Sequence, residues 1–154
     1  MSYEMLKTAH FVGMILLLGA GGASAFYKFV IDRSNSLEMI VQMNKLVVLA
    51  DWLFTTPAII LQPITGFALM HTLGFTISDC WIYISLALYT VSTLLWLIAV
   101  YFQIRMKKIA IKAYEQNTQI PQSYFKYAKI WFYLGFPSFF AMVAIIFLMV
   151  YKVC

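Results

Sequence analysis

The sequence predicts an all-α protein, a four-transmembrane-helix up-down bundle with both termini outside (N-out/C-out). Three observations lead there. Of 154 residues, 63% are hydrophobic and 11% charged, against about 25% charged in soluble domains; the mean hydropathy is +0.83. Four stretches reach the ~20 apolar residues that a membrane crossing needs, at about 8–30, 46–70, 81–103 and 130–151. Basic residues are sorted by connection: Lys28, Arg33 and Lys45 in the first, Arg105, Lys107, Lys108, Lys112, Lys126 and Lys129 in the third, none in "HTLGFTISDC". By the positive-inside rule the first and third connections are cytoplasmic.

The spans must be helices, because hydrocarbon offers no partner to an unpaired backbone group. They lack the alternation of barrel strands. Short connections make them one up-and-down domain, 1–154, multi-pass in a bacterial inner membrane. The first span has no basic leader or short apolar core with a cleavage site, so it reads as a span and not a signal peptide. The net charge of +5 reflects topology and not nucleic-acid binding. The lipid bilayer is the main partner, and "RMKKIAIKAYEQ" reads as a cytoplasmic helix extension on anionic lipid.

Span one, "TAHFVGMILLLGAGGASAFYKF", carries His10 and a run of small residues. His10, Gly13, Leu17, Ala20, Gly21 and Ser24 recur at helical spacing on one side. Such a smooth face suits a flat porphyrin, and it also suits ordinary close helix packing. Span two, "DWLFTTPAIILQPITGF", aligns Asp51, Thr55, Gln62, Thr65 and Gly66 on one stripe, with Thr56 beside it. Pro57 and Pro63 bend it and free backbone carbonyls. Asp51 reads as a partner of Arg33 or Lys45, or as a proton relay. Spans three and four hold no ionisable side chain except tyrosine. Tyr3, Trp81 and Tyr83 mark one interface, Tyr101, Tyr124, Tyr127 and Trp131 the other.

Ionisable residues inside spans are functional candidates by default. The topology brings His10 and His71 to the same side of the membrane. Neutral imidazole ligates haem iron, so this pair would hold one haem b between helices. Against that, the helical phase turns His71 nearly opposite the polar stripe. A copper or zinc site from His10, His71 and Cys80 is a lesser alternative. Cys80 and Cys154 both fall outside, where an oxidising compartment permits a disulfide, although a terminal cysteine argues against one.

The pieces "LKTAHFVGMI", "DWLFTTPAIILQPITGFAL" and "QIRMKKIA" resemble the DUF2269 family of predicted integral membrane proteins. They are also similar to HemJ-type protoporphyrinogen oxidases, a related four-helix family. The resemblance implies that His10 matches the HemJ helix-one histidine, taken as a haem ligand, and that Thr55, Thr56 and Pro57 match its "TTP". The HemJ type carries a lysine early in helix three; "WIYISLALYTVS" has none, which puts the oxidase activity in question.

Together these readings give a membrane haem-b-binding redox protein, serving electron transfer or porphyrin oxidation. His10 and His71 would be the axial ligands, and a quinone or protein redox partner would exchange electrons. The sequence leaves the oligomeric state open, and a homo-oligomer with haem between protomers is one alternative. The rivals are a HemJ-like protoporphyrinogen oxidase and a cofactor-free membrane subunit or small transporter. Gly-rich phosphate loops, paired hydrolytic carboxylates and His-Glu-x-x-His are all absent.

Overall fold

A computed structural model describes residues 2–34 and 36–153. Helix α1 (Tyr3–Ile31) is followed by α2 (Leu37–Ala50), a π turn (Asp51–Thr55), α3 (Thr56–Leu73), α4 (Cys80–Glu115) and α5 (Gln122–Tyr151). Helices α2 and α3 form one continuous rod through the π turn. Four helical rods are therefore long and apolar enough to cross a membrane: Tyr3–Ile31, Leu37–Leu73, Cys80–Glu115 and Gln122–Tyr151. Ser2 caps α1 by accepting from the Met5 N–H, and Ser36 caps α2 by accepting from the Met39 N–H. Gly74, at φ +74°, ends α3 in the left-handed conformation, with its N–H on the His71 carbonyl and the Phe75 N–H on that of Met70. Cys80 is disulfide-bonded; Cys154, the partner weighed and disfavoured from the sequence, lies outside the described residues.

All four rods outrun the apolar stretches that mark them in the sequence, three of them most at one end. The rod through α2 begins at Leu37 instead of 46, α4 ends at Glu115 instead of 103, and α5 begins at Gln122 instead of 130. Hydropathy registers only the lipid-immersed part. The added turns are amphipathic and bury a small core of their own: Ile40, Val41, Met106, Ala110 and Tyr124. These residues form helix because burying that face against neighbouring helices stabilises it.

A buried polar knot fastens this end. Lys28, Asn44 and Tyr124 are each 0% exposed. The Lys28 ammonium donates to both Asp32 oxygens, at 3.0 and 2.8 Å, and to the Tyr124 hydroxyl at 2.8 Å. That hydroxyl donates to Asp32 at 2.6 Å and accepts from Asn44 at 2.7 Å. A phenol has one proton and two lone pairs, so all of Tyr124's capacity is used. The Lys28 ammonium also lies 5.0 Å from the Tyr124 ring centroid, a cation–π contact. Helices α1, α2 and α5 are thereby joined at one point.

Both prolines of the second span are accommodated by local repair. Pro57 has no N–H for the carbonyl four residues back. Just before it the helix widens, and the Thr56 N–H bonds the Asp51 carbonyl five residues back, the signature of a π turn. Pro63 likewise orphans the Ile59 carbonyl, and the Tyr89 hydroxyl of α4 donates to it. Helices α4 and α5 meet closely at Ser92 and Ser138, each hydroxyl donating to the other residue's carbonyl.

The polar knot is testable. Tyr124→Phe leaves Lys28 and Asn44 each short of a buried partner, so it should destabilise the folded protein by about 1–3 kcal/mol. Thermal or SDS-titrated unfolding in detergent measures this. Tyr127→Phe, whose hydroxyl takes no part in the knot, should stay within about 0.5 kcal/mol of the parent.

Candidate functional site

Helices α1 and α3 pack antiparallel, so the start of α1 meets the second half of α3. Gln62 and Thr65 are 8% and 2% exposed, and both bond to His10 of α1. The Gln62 amide donates to the His10 carbonyl at 2.9 Å. His10 Nδ1 lies 2.8 Å from Thr65 Oγ1. Thr65 is itself a donor to the Leu61 carbonyl at 2.8 Å. A hydroxyl has one proton. With that proton on Leu61, Thr65 accepts from His10 Nδ1–H. In the neutral ring, Nε2 then carries the lone pair.

His10 lines a cavity of about 460 Å³. Apolar walls come from all the spans, among them Phe11, Met14, Phe67, Trp81, Ile145 and Met149, and Lys7 and Lys152 stand among the lining residues. The Lys152 ammonium sits 4.6 Å from the Phe75 ring centroid. Gly66 lies against the histidine: a Cβ there would come 3.4 Å from His10 Cε1, the near edge of ordinary contact.

The other expected site residues scatter. His71 is exposed and is not part of the cavity wall, so the structure does not bring it to His10. The helical phase already turns it away from Gln62 and Thr65. Gly13 is buried under Gln62, where a Cβ would lie 2.9 Å from Nε2, so it serves close packing. Ala20 is half-buried and lines neither this cavity nor a second one that Gly21 lines. Gly21 lines the second cavity, not that of His10. Among the described residues, no group of three or more His, Cys, Asp or Glu is placed to hold a metal ion, which removes the copper or zinc reading.

Asp51 does not pair with Arg33 or Lys45. Its oxygens accept from Thr55 and from Gln103 of α4, both at 2.8 Å, and Gln103 in turn accepts from the Trp131 indole at 3.0 Å. Arg33 instead donates to the Phe29 carbonyl and stacks on the Phe29 ring. Thr55 is buried and Thr56 half-buried. Sequence reasoning missed Gln103 because a neutral amide carries no charge signal. It missed the buried role of Lys28 because a lysine at a span's end ordinarily reaches for water.

The model of DUF2269, described as a predicted integral membrane protein, matches residues 4–153. No curated protein and no solved structure gives a significant match. The resemblance to HemJ-type oxidases finds no support in these comparisons.

The packing role of Gly13 makes a sharp contrast with its neighbours. Gly13→Ala should displace Gln62 from the His10 carbonyl and lower stability by about 1–3 kcal/mol. Gly19→Ala, where nothing lies within 4 Å of the new methyl, should be neutral or stabilising by up to about 1 kcal/mol through helix propensity. Unfolding of the two variants side by side checks this.

Proposed function

This chain belongs to the DUF2269 family of predicted integral membrane proteins, and on that footing we propose that it is a membrane haem b protein that carries electrons. The haem would occupy the His10 cavity, with His10 Nε2 as an axial ligand. The observation that carries the reading is the Thr65 hydroxyl, which lies 2.8 Å from His10 Nδ1 and 2.8 Å from the Leu61 carbonyl. With its proton on Leu61 it accepts from Nδ1–H and leaves Nε2 free to ligate, the arrangement by which a second residue orients a metal-ligating histidine.

The surroundings fit the group. A volume of about 460 Å³ falls within the ~300–1,000 Å³ of cofactor-sized sites. The wall is mostly hydrocarbon, which excludes water and would tune the potential. Lys7 and Lys152, both lining residues, suit the two propionate carboxylates. His71 is exposed and does not line the cavity, whereas Met14, Met70, Met142 and Met149 do, and their thioethers would be available to hold the group. Haem, when bound, supplies one-electron chemistry. The chain's own residues do the rest. Thr65 fixes the ring, and Gln62 fixes the α1 backbone beside it.

Absorption spectra of hemin-supplied, detergent-purified protein test this, oxidised and then dithionite-reduced. A sharp Soret band with reduced α and β peaks is expected, retained in His71→Ala and lost in His10→Ala. Thr65→Val should weaken haem binding about 10–100-fold. A flat visible spectrum from monodisperse protein would return His10 to helix packing and leave a cofactor-free subunit or small transporter as the reading.

A further inference from the structure

A second cavity, of about 500 Å³, lies toward the Lys28 end of the bundle and shares Leu17, Leu18 and Met142 with the first. Phenylalanines 29, 132, 136 and 139 furnish much of its wall, and Gly21 and Gly22 open space against α1. Asp51, Gln103, Thr55, Thr93 and Trp96 are among its polar lining residues. The first three satisfy one another. The last two do not. Trp96 Nε1 and Thr93 Oγ1 are buried with no hydrogen-bond partner among the described residues. The Trp96 indole interacts with the Asp51 carboxylate, and Thr93 with Tyr89, in both cases outside hydrogen-bonding geometry.

The chemistry of the orphans selects the occupant. An indole nitrogen only donates, so the ligand must bring an acceptor. That argues against a lipophilic cation, which has none to offer, despite the aromatic wall and the carboxylate. Asp51, next to the indole, accepts. A hydroxyl on an aromatic ring does both, accepting from Trp96 N–H and donating to Asp51. The remaining surface asks for a flat ring and a hydrocarbon tail. Asp51 opens the π turn, a deviation that often marks functional sites. The geometry points to this cavity as a binding site for the headgroup of a lipid-soluble hydroquinone, with Trp96, Thr93 and Asp51 as its recognising groups.

This assignment deepens the redox reading above, since it names the class of electron-carrying partner, but binding itself needs no haem. The test is therefore run on haem-free protein in phosphatidylcholine nanodiscs, titrated calorimetrically with ubiquinol bearing a single isoprenoid unit, with empty nanodiscs as the blank. Saturable binding is expected, weakened about tenfold in Trp96→Phe, and more modestly in Thr93→Val. Thr93→Val removes an unpartnered buried hydroxyl with little change of shape, so it should not lower the melting temperature. A structural role for that hydroxyl would lower it. Asp51→Asn should weaken binding too, and His10→Ala should leave it unchanged while abolishing any haem spectrum. Absence of saturable binding, or affinity unmoved by both Trp96→Phe and Thr93→Val, overturns the assignment. So does Asp51-dependent binding of tetraphenylphosphonium without binding of the ubiquinol, which would make the cavity a cation site.

Discussion

Everything in this molecule depends on one constraint: inside hydrocarbon, no donor or acceptor can turn to water for a partner. Regular helix satisfies most of the backbone. The informative places are where regular helix fails. Pro57 is met by a π turn and Pro63 by a tyrosine from another helix. In each case the repair also fixes something of use. The π turn sets Asp51 at the edge of one cavity, and the Tyr89 bond locks α3 to α4 beside the other. Residues that first serve the backbone therefore also shape the sites.

The two ends of the bundle solve different problems. At the Lys28 end, helices rise beyond the apolar zone, pack a small core and close a largely buried charged knot. At the His10 end, a cavity opens beside one imidazole held against Thr65. Buried ion pairs are weak sources of net stability and stronger sources of specificity. The Lys28 knot accords with that role: it admits one register among α1, α2 and α5, because only one places Tyr124 between Lys28, Asp32 and Asn44.

The fold was legible because length and hydropathy alone decide how many helices cross a bilayer. The inward face of span two was legible as well. Threonine and glutamine at helical spacing have nowhere to go except inward, and Thr55, Gln62 and Thr65 are all buried. Helix ends were not legible, since amphipathic flanks such as "LEMIVQMNK" look merely polar until the partner helix is known. Pairings across the chain were hidden for a similar reason. Asp51 finds Gln103 fifty-two positions away, and nothing in the charge pattern favours that amide over the nearer Arg33 or Lys45. His10 stood out as an intramembrane histidine, but the orientation of its ring rests on Thr65, whose hydroxyl reads in sequence as one among several.

The knot also bears on how the chain is made. Lys28 and Asp32 lie one turn apart and come together as soon as α1 winds. Tyr124 is synthesised 96 residues after Lys28, about 5–20 s later at ordinary elongation rates. During that interval the nascent protein holds a charged pair at the membrane edge that the last helix has yet to cover. A chain that stops short of α5 keeps it uncovered. The same residues that fasten the finished bundle thus distinguish it from an incomplete one, and give membrane quality control a chemical feature by which to tell them apart.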